Sequence, residues 1–460
     1  MKLRKLLCNL AISVSVFGLA SNLSAAVSPE AAQKLGNELT PFGAIKAGND
    51  EGTIPPYEGG LRTAPEGFEP GDGYWINPFK DEEPRLRIDA SNYQEHEDKL
   101  SAGQIKLLTT YPDTYYIDVY PTHRTAAYPQ DVLDATVRNA TTCETLKNGL
   151  ALDPSCRGGL PFPIPQTGNE MMWNQQVRYN DGKYGTTTAA SNSWIVDSNG
   201  SVTKASEQKT FVERPFYQTD VEGRDPQMYT RVYSVTQEPA RRAGELTGYM
   251  DFLDPTESPR RAWSYTPGQR RIKRAPEFAY DTPVASMGGL ELFDELFMFS
   301  GMQDRFDFKL VGRKEMYIPY NTYEFYFDCE QDKQFMKHHV NPECERWELH
   351  RVWVVEATLK DQYRHVYSKR TYYLDEDTYG AGMYDAWDQS GQLYRSMMLG
   401  GVQFYNHDIP YIVKHAIYDF NKGMYGIIND ALNGGYRVLE EPRSERELST
   451  QVIVNRESAR

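Results

Sequence analysis

The stretch WELHRVWVVEATLK, residues 347–360, decides the fold class, because its residues alternate as they do in a β-strand. Successive side chains of a strand point to opposite faces, so Trp347 and Trp353 share one face, and His350 and Val354 share the other. Neither face is uniformly polar. This pattern is typical of a strand in the middle of a sheet that is covered on both faces.

Further strands are predicted on both sides of this stretch, at short intervals and with turns between them. Residues 186–196 and 202–213 flank the tetrapeptide DSNG at 197–200, and an Asn-Gly pair tolerates the positive φ of a hairpin turn. Few long helices are predicted. The pattern therefore favours a mainly β fold with a meandering antiparallel sheet. The other predicted strands are residues 229–237, 245–253, 262–266, 270–273, 306–318, 364–374, 384–387 and 393–398.

The segment GLELFDELFMFS, residues 289–300, interrupts the series and is predicted to be an amphipathic helix. An apolar stripe of this kind usually belongs to a core. The flanking glycines Gly288 and Gly301 leave a second interpretation open, in which the helix is a lid with glycine hinges over an apolar cavity. The stripe consists of Leu290, Phe293, Leu296 and Phe297.

The composition excludes two broad classes of protein. The chain has 460 residues, of which 13% are aromatic, and disordered chains are poor in aromatic residues. Its formal net charge is −14, whereas a nucleic-acid-binding surface is basic. We therefore expect an ordered protein that has no nucleic acid as a partner.

Residues 1–26 are predicted to be a signal peptide. Basic residues between Lys2 and Lys5 precede an apolar run that ends at Ala20, and small residues lead up to Ala26. We expect cleavage after about Ala26 and export of the rest of the chain. A retained anchor helix is the weaker alternative, because the apolar run is short for a membrane span.

Four cysteines follow the predicted signal peptide: Cys143, Cys156, Cys329 and Cys344. An even number of cysteines in an exported chain favours disulfides, and four cysteines allow three connectivities. The local connectivity, Cys143 with Cys156 and Cys329 with Cys344, is the simplest. A zinc site is the weaker alternative, because the chain has no C-x-x-C motif.

The remaining chain divides into two predicted parts. Residues 27–183, rich in turn-forming residues at their start, are expected to form a wrapping arm with short helices. Residues 184–460 are expected to form the curved antiparallel sheet, with the lid-like helix near residues 289–300 and a C-terminal extension. This division makes one elaborated β unit out of a chain long enough for two or three domains.

The usual catalytic motifs are absent from the sequence, including G-x-S-x-G, H-E-x-x-H, Walker A and G-x-G-x-x-G. We therefore predict that the protein is not an enzyme and has no catalytic residue, no metal and no cofactor. The acidic run at residues 375–377 is a weak candidate for calcium. It lacks the spacing of a calcium loop, which favours a solvated acidic turn.

A basic hairpin stands out in this acidic chain: RRAWSYTPGQRRIKRAP, residues 260–276. Such a hairpin suggests recognition of a phosphate, sulfate or carboxylate group. In the alternative, its side chains lie on a wet face and pair with the excess Asp and Glu. The residues proposed to contact an anionic group or a partner are Arg270, Arg271, Lys273 and Arg274.

Several motifs together resemble one bacterial family, the domain-of-unknown-function family numbered 1329. They occur in the same order along the chain. The basic hairpin is also similar to that of the outer-membrane lipoprotein-sorting superfamily. The other motifs are LTPFGAIKAGNDEGTIPPYEGG (residues 39–60), EMYIPYN (315–321) and RVWVVEATLKDQYRHVYSKRTYYLDEDT (351–378).

This resemblance implies an incomplete, lipoprotein-carrier-like β-barrel whose open side is covered by helices and whose apolar cavity holds a hydrophobic ligand. It also implies a periplasmic location. Peripheral attachment to the outer membrane is a second form of this expectation. The implied partners are an exporter of the resistance-nodulation-division type or an outer-membrane barrel protein. Candidate ligand-binding residues are Trp263, Tyr265, Leu290, Phe293, Leu296, Phe297, Trp353 and Tyr372.

The leading hypothesis is a periplasmic binding or carrier protein for a lipid or another hydrophobic molecule, working with an envelope transport system. The alternative is an envelope interaction or sensor module with a filled core and no ligand. The oligomeric state is open.

Overall fold

The computed structural model describes residues 27–432 and 435–458. The predicted signal peptide, residues 1–26, lies outside these ranges. Within them, no helix is both long enough and apolar enough to cross a membrane.

Strands make up most of the regular structure of the described residues. In chain order they are β1 (Leu86–Ile88), β2 (Ile117–Val119), β3 (Thr145–Leu146), β4 (Ala151–Leu152), β5 (Thr186–Val196), β6 (Val202–Glu213), β7 (Met228–Glu238), β8 (Leu246–Phe252), β9 (Arg261–Thr266), β10 (Arg271–Arg274), β11 (Phe306–Pro319), β12 (Trp347–Leu359), β13 (Tyr367–Asp375), β14 (Gly382–Asp388), β15 (Leu393–Leu399), β16 (Val402–Phe404), β17 (Ile409–Tyr411), β18 (His415–Asp419), β19 (Met424–Asp430) and β20 (Tyr436–Val438). The α-helices are α1 (Pro29–Ala32), α2 (Ala102–Thr110), α3 (Gln130–Thr142), α4 (Gly168–Val177) and α5 (Thr450–Ser458).

Sixteen of these strands form one large sheet. Two antiparallel meanders meet where β19 pairs with β5: one is β5 to β10, and the other is β11 to β15 followed by β18 and β19. Strands β16 and β17 pair with each other in a separate sheet. On the far side, β2 joins β12 through a parallel pairing of Val119 with Trp347. Along the described residues the sheet stays open, because its order runs from β1 at one edge to β10 at the other. The predicted mainly β fold with an open, largely antiparallel sheet is therefore confirmed.

Periodicity located two strands to the residue. The observed bounds of β5 and β6 equal the predicted ones, and residues 197–200 form the turn between them, with Gly200 at φ 87°. The strands from β16 to β20 were not predicted. Most of them are short and buried on both faces, so they show no alternation of polar and apolar residues.

The sheet buries both of its faces. We call the face on which residues 282–300 lie the inner face and the opposite face the outer face. The outer face of β6 to β10 is covered by helix α5, whose residues Ile453 and Val454 pack on Phe211 and Tyr233. The boundary predicted at residue 184 stays a prediction, since β1 and β2 from the first part extend the sheet of the second.

Residues 289–300 do not form the predicted amphipathic helix. The chain there turns repeatedly, and its single helical turn is a 3₁₀ turn at Leu296–Met298. Positive φ angles at Gly289 (74°), Phe297 (56°) and Met298 (86°) are incompatible with a continuous α-helix. We call residues 282–300 the plug segment, because they lie against the inner face and because residues 290–300 are almost entirely buried.

The four cysteines form the two local disulfides, Cys143–Cys156 and Cys329–Cys344, as the simplest connectivity predicted. The first closes a loop between α3 and the turn after β4, with a sequence separation of 13 residues. Both of its sulfur-bearing residues are buried.

Replacing Cys143 and Cys156 together by Ala is expected to lower the free energy of unfolding by about 3 kcal/mol, because the unfolded chain regains the freedom of the open loop. Equilibrium urea unfolding of the oxidised variant and wild-type protein measures the change. An unchanged midpoint and slope would show that this loop does not depend on the bond.

A candidate ligand cavity beside the plug segment

Acidic side chains fix the plug segment to the sheet. Asp294, which is 4% exposed, accepts hydrogen bonds from Arg370 (2.5 Å) and pairs with His365 (3.0 Å). Burial alone would raise the pKa of Asp294, but the charge of Arg370 and the hydrogen bonds from His365 and Arg370 outweigh it and hold that pKa well below its usual range. The carboxylate is therefore ionised and bound to the inner face of β13.

Glu295 has the most complete set of partners. It is fully buried and accepts hydrogen bonds from Arg395 (2.8 Å), from Tyr367 (2.5 Å) and from Tyr384. Its Oε2 atom also accepts a hydrogen bond from a backbone N–H of the plug itself, that of Leu292 (2.7 Å). These contacts tie one residue of the plug to three neighbouring strands.

The physical reason for the failed helix prediction lies in these acidic residues. Glu291, Asp294 and Glu295 stand at the spacing i, i+3, i+4, so a helix would place them on one side and the apolar stripe on another. An amphipathic helix exposes its charged side. Here basic residues of the sheet pair with the acidic residues, so the acidic and the apolar side chains are both buried. The backbone turns repeatedly to bring both sets into the core.

A cavity of about 180 Å³ remains between the plug segment and strands β6 to β8. One wall is apolar and comes mainly from the plug and the residues before it, namely Phe278, Val284, Met287, Phe293, Leu296 and Phe297. The opposite wall is the inner face of the sheet. The cavity therefore has an apolar roof over a more polar floor.

The floor follows from strand register. Thr210 of β6 lies opposite Ser234 of β7, which lies opposite Thr247 of β8. The same row continues through Ser264 of β9 and ends at Lys273 of β10. Cross-strand partners share a face, so a line of hydroxyl groups leads from the cavity floor to the basic edge of the sheet.

Of the predicted ligand-binding residues, three line this cavity: Phe293, Leu296 and Phe297. Leu290 lies against strand β19 instead. It packs so closely on the strand β19 that a Cβ added to Gly426 would stand 2.6 Å from its Cδ2 atom.

The structure does not bring the other four aromatic candidates to the cavity. Trp263 and Tyr265 lie on the outer face, packed in the cluster under helix α5, because β9 turns Ala262 and Ser264 to the inner face. Alternation separates these two sets correctly, but it does not say which set faces inward.

Trp353 and Tyr372 lie elsewhere in the filled part of the core. The guanidinium of Arg313 stacks 4.0 Å from the Trp353 ring centroid. Tyr372 stacks on Tyr384, with centroids 5.5 Å apart, and is fully buried. Neither residue borders the cavity.

The basic hairpin β9–β10 forms one edge of the sheet. Arg270, Arg271, Lys273 and Arg274 are exposed, and within the described ranges none of them has an ion-pair partner. Register places Arg271 and Lys273 opposite Thr266 and Ser264, on the inner face beside the cavity. Arg260 differs, because its side chain is only 9% exposed and pairs with Asp251 at 2.7 Å.

A second cavity, of about 220 Å³, lies on the other side of the plug segment. The Arg260–Asp251 pair forms part of its wall, together with Trp173, Tyr280 and Asp294. Sequence reasoning missed these residues and the charged members of the first cavity, Glu291 and Arg242. The only signal in the sequence was the acidic spacing within the plug.

The acidic run 375–377 is not the solvated turn that was predicted. Asp375 and Asp377 are fully buried, and Arg124 donates to both oxygens of Asp377 (2.6 and 2.8 Å). His350, Asp375 and Asp377 stand close enough to hold a metal ion. Burial lowers the pKa of His350, but Asp375 and Glu348 have the larger and opposite effect and raise that pKa to about 9. The imidazole is therefore protonated and already supplies a positive charge there.

Comparison with known proteins establishes the family. A family model described as "Protein of unknown function (DUF1329)" matches residues 87–452. The chain belongs to this family. One relative, "Uncharacterized protein PA3922" of Pseudomonas aeruginosa, is 39% identical over 412 residues, which cover 88% of this chain and 89% of the relative.

Solved structures are similar at lower identity. A DUF1329 family protein from Desulfovibrio piger is 14% identical, with a TM-score of 0.38, covering 59% of this chain and 91% of that one. A LolA superfamily protein, NE2245 from Nitrosomonas europaea, is 9% identical, with a TM-score of 0.36, covering 62% and 99%.

Replacing Asp294 by Asn is expected to lower the free energy of unfolding at pH 7 by roughly 3–5 kcal/mol, because it leaves Arg370 buried without its counter-charge. The folded pKa of Asp294 lies below its unfolded value of about 3.9. The pair thus stabilises the fold above that pH, and the contribution is lost as the pH falls further.

Urea unfolding at several pH values measures both effects, and the difference between wild-type protein and Asp294→Asn should shrink towards acid pH. Asp307→Asn is the matched control, because Asp307 is 77% exposed and pairs with Lys360 at 3.6 Å, so we expect a change below about 1 kcal/mol. Equal losses in the two variants would contradict the anchoring role of Asp294.

Proposed function

We propose that this protein is a periplasmic binding or carrier protein for a hydrophobic molecule, which occupies the cavity beside the plug segment. The observation that carries the proposal is the cavity itself, with its apolar roof of plug residues such as Phe293 and Leu296. Burial of apolar ligand surface there contributes roughly 25 cal/mol per Å². A concave, largely apolar site with a few polar groups is typical of small-molecule binding.

Two other features support a role in the cell envelope. The two disulfides fit an exported chain, since such bonds persist in oxidising compartments. The basic hairpin offers unpaired cations at the sheet edge next to the cavity. We propose that Arg270, Arg271, Lys273 and Arg274 contact an anionic group of a partner surface, with an exporter or an outer-membrane barrel protein as the transport partner.

We also propose that the protein binds its ligand without converting it. The residues around the cavity are apolar side chains, hydroxyl groups and charged groups tied to neighbours, such as Arg242, which binds Glu245 at 2.7 Å. No nucleophile and base are paired among the residues that line the cavity.

A second function, a docking or sensor module, is favoured by a different observation. The plug segment is fixed by buried ion pairs, and much of the inner face, including Tyr372 and Trp353, is filled. A filled core of this kind suits a rigid scaffold. The cavity distinguishes the two functions, because a docking module needs no occupant there.

Replacing Thr210 by Phe should weaken binding of the hydrophobic fluorescent probe N-phenyl-1-naphthylamine by roughly tenfold or more, because the ring would fill space above the cavity floor. Thr203→Phe is the matched control. Thr203 lies on the same strand, β6, but is exposed and does not line the cavity.

Fluorescence titration measures the probe, and native mass spectrometry of the protein purified from the periplasm tests for a bound hydrophobic molecule. A wild-type protein that comes out empty and ignores the probe would favour the docking module. Equal weakening by both substitutions would place the probe outside this cavity.

Reversing two charges of the hairpin, Arg270→Glu with Arg271→Glu, should abolish binding to phosphatidylglycerol vesicles and leave probe binding unchanged. The expected loss follows from charge, so wild-type binding should also weaken as salt is raised. Co-sedimentation with phosphatidylglycerol and with phosphatidylcholine vesicles measures it. Lys333→Glu with Lys337→Glu, two charges reversed away from the hairpin, is the control. Retained vesicle binding by the hairpin variant would assign another role to this edge.

A further inference from the structure

One wall of the ligand cavity carries a buried carboxylate with unused acceptor sites. Glu291 is fully buried and lines the cavity. Within residues 27–432 and 435–458, neither of its carboxylate oxygens accepts a hydrogen bond. An ionised carboxylate has about four acceptor sites, and leaving them unused in an apolar setting is destabilising.

His415 balances the charge of Glu291 without filling those sites. Its Nε2 atom lies 3.4 Å from one Glu291 oxygen, and this contact is an ion pair that lacks hydrogen-bond geometry. Its Nδ1 atom lies 3.0 Å from the carbonyl oxygen of Val413. A carbonyl only accepts, so Nδ1 carries a proton. Burial lowers the pKa of His415, but Glu291 outweighs this and raises it, which favours the imidazolium.

Several of the other polar groups around the cavity have partners. Asn429 donates to the carbonyl of Val413 (3.1 Å), and Arg242 is held by Glu245 (2.7 Å). Thr210 and Ser234 share a hydrogen bond of 3.1 Å on the floor. Glu291 is the one carboxylate among the residues that line the cavity, and both of its oxygens keep their acceptor capacity.

We propose that Glu291 recognises a hydrogen-bond donor on the ligand, so that the cavity selects an amphipathic alcohol, an apolar body that bears a hydroxyl group. This inference rests on the proposed binding function. His415 already balances the charge, so a neutral hydroxyl fits without adding an unpaired charge. A carboxylate ligand offers only acceptors and brings a second negative charge close to Glu291, and is therefore rejected.

Displacement of N-phenyl-1-naphthylamine by 1-octanol and by octanoate, two ligands with the same apolar chain length, tests the proposal. Wild-type protein should bind 1-octanol at least tenfold more tightly than octanoate. Glu291→Leu should lose most of this preference, because the acceptor is gone. Glu222→Leu, at an exposed position away from the cavity, should keep it.

Far-ultraviolet circular dichroism would detect a folding defect in Glu291→Leu. Glu291→Gln, which keeps the size of the side chain, tests the proposal even if the leucine variant misfolds. Its amide still accepts from a hydroxyl and now donates to a carboxylate, so octanoate should gain affinity relative to 1-octanol. Equal binding of the two ligands by wild-type protein, or an unchanged preference in Glu291→Gln, would overturn this inference alone. A wild-type protein that does not bind the probe would overturn the proposed function as well.

Discussion

Burial of acidic side chains opposite basic ones on the sheet is the interaction on which the inner face depends. Asp294 and Glu295 leave water only because Arg370 and Arg395 meet them at 2.5 and 2.8 Å. A buried charge without a partner is strongly destabilising, so each pair dictates where the plug segment can lie. The apolar residues between the anchors then fill the space that this position leaves.

The anchored plug divides the inner face into filled and open regions. On the side of β13 and β14 the aromatic residues stack with little space, as the Tyr372–Tyr384 pair does. On the side of β6 to β8 the sheet presents hydroxyl groups instead, and the plug does not reach them. The cavities are thus a consequence of where the ion pairs hold the plug, and of the small side chains that face it.

Local patterns predicted the elements of this fold better than their arrangement. Alternation and an Asn-Gly turn located the β5–β6 hairpin, and sequence proximity was enough for both disulfides. The same alternation placed Trp263 and Ser264 on opposite faces of their strand, but it could not show which of the two faces inward. Helix α5, which covers the outer face, lies far along the chain. The prediction of a helix for the plug assumed that its charged residues are exposed, as they are on an amphipathic helix. The local pattern contains no information on Arg370 or Arg395, which allow these residues to be buried.

The three acidic residues of the plug differ in how fully they are bonded, and this difference follows the cavities. Glu295 borders neither cavity and has all its acceptor capacity engaged by Arg395, two tyrosines and a backbone N–H. Asp294 borders the second cavity and keeps one oxygen, Oδ1, without a hydrogen bond among the described residues. Glu291 borders the first and keeps both. An acid that served only to anchor the plug would gain from a full set of donors, as Glu295 does. The incomplete sets belong to the two acids that border a cavity, which is why we assign recognition to Glu291 and anchoring to Glu295.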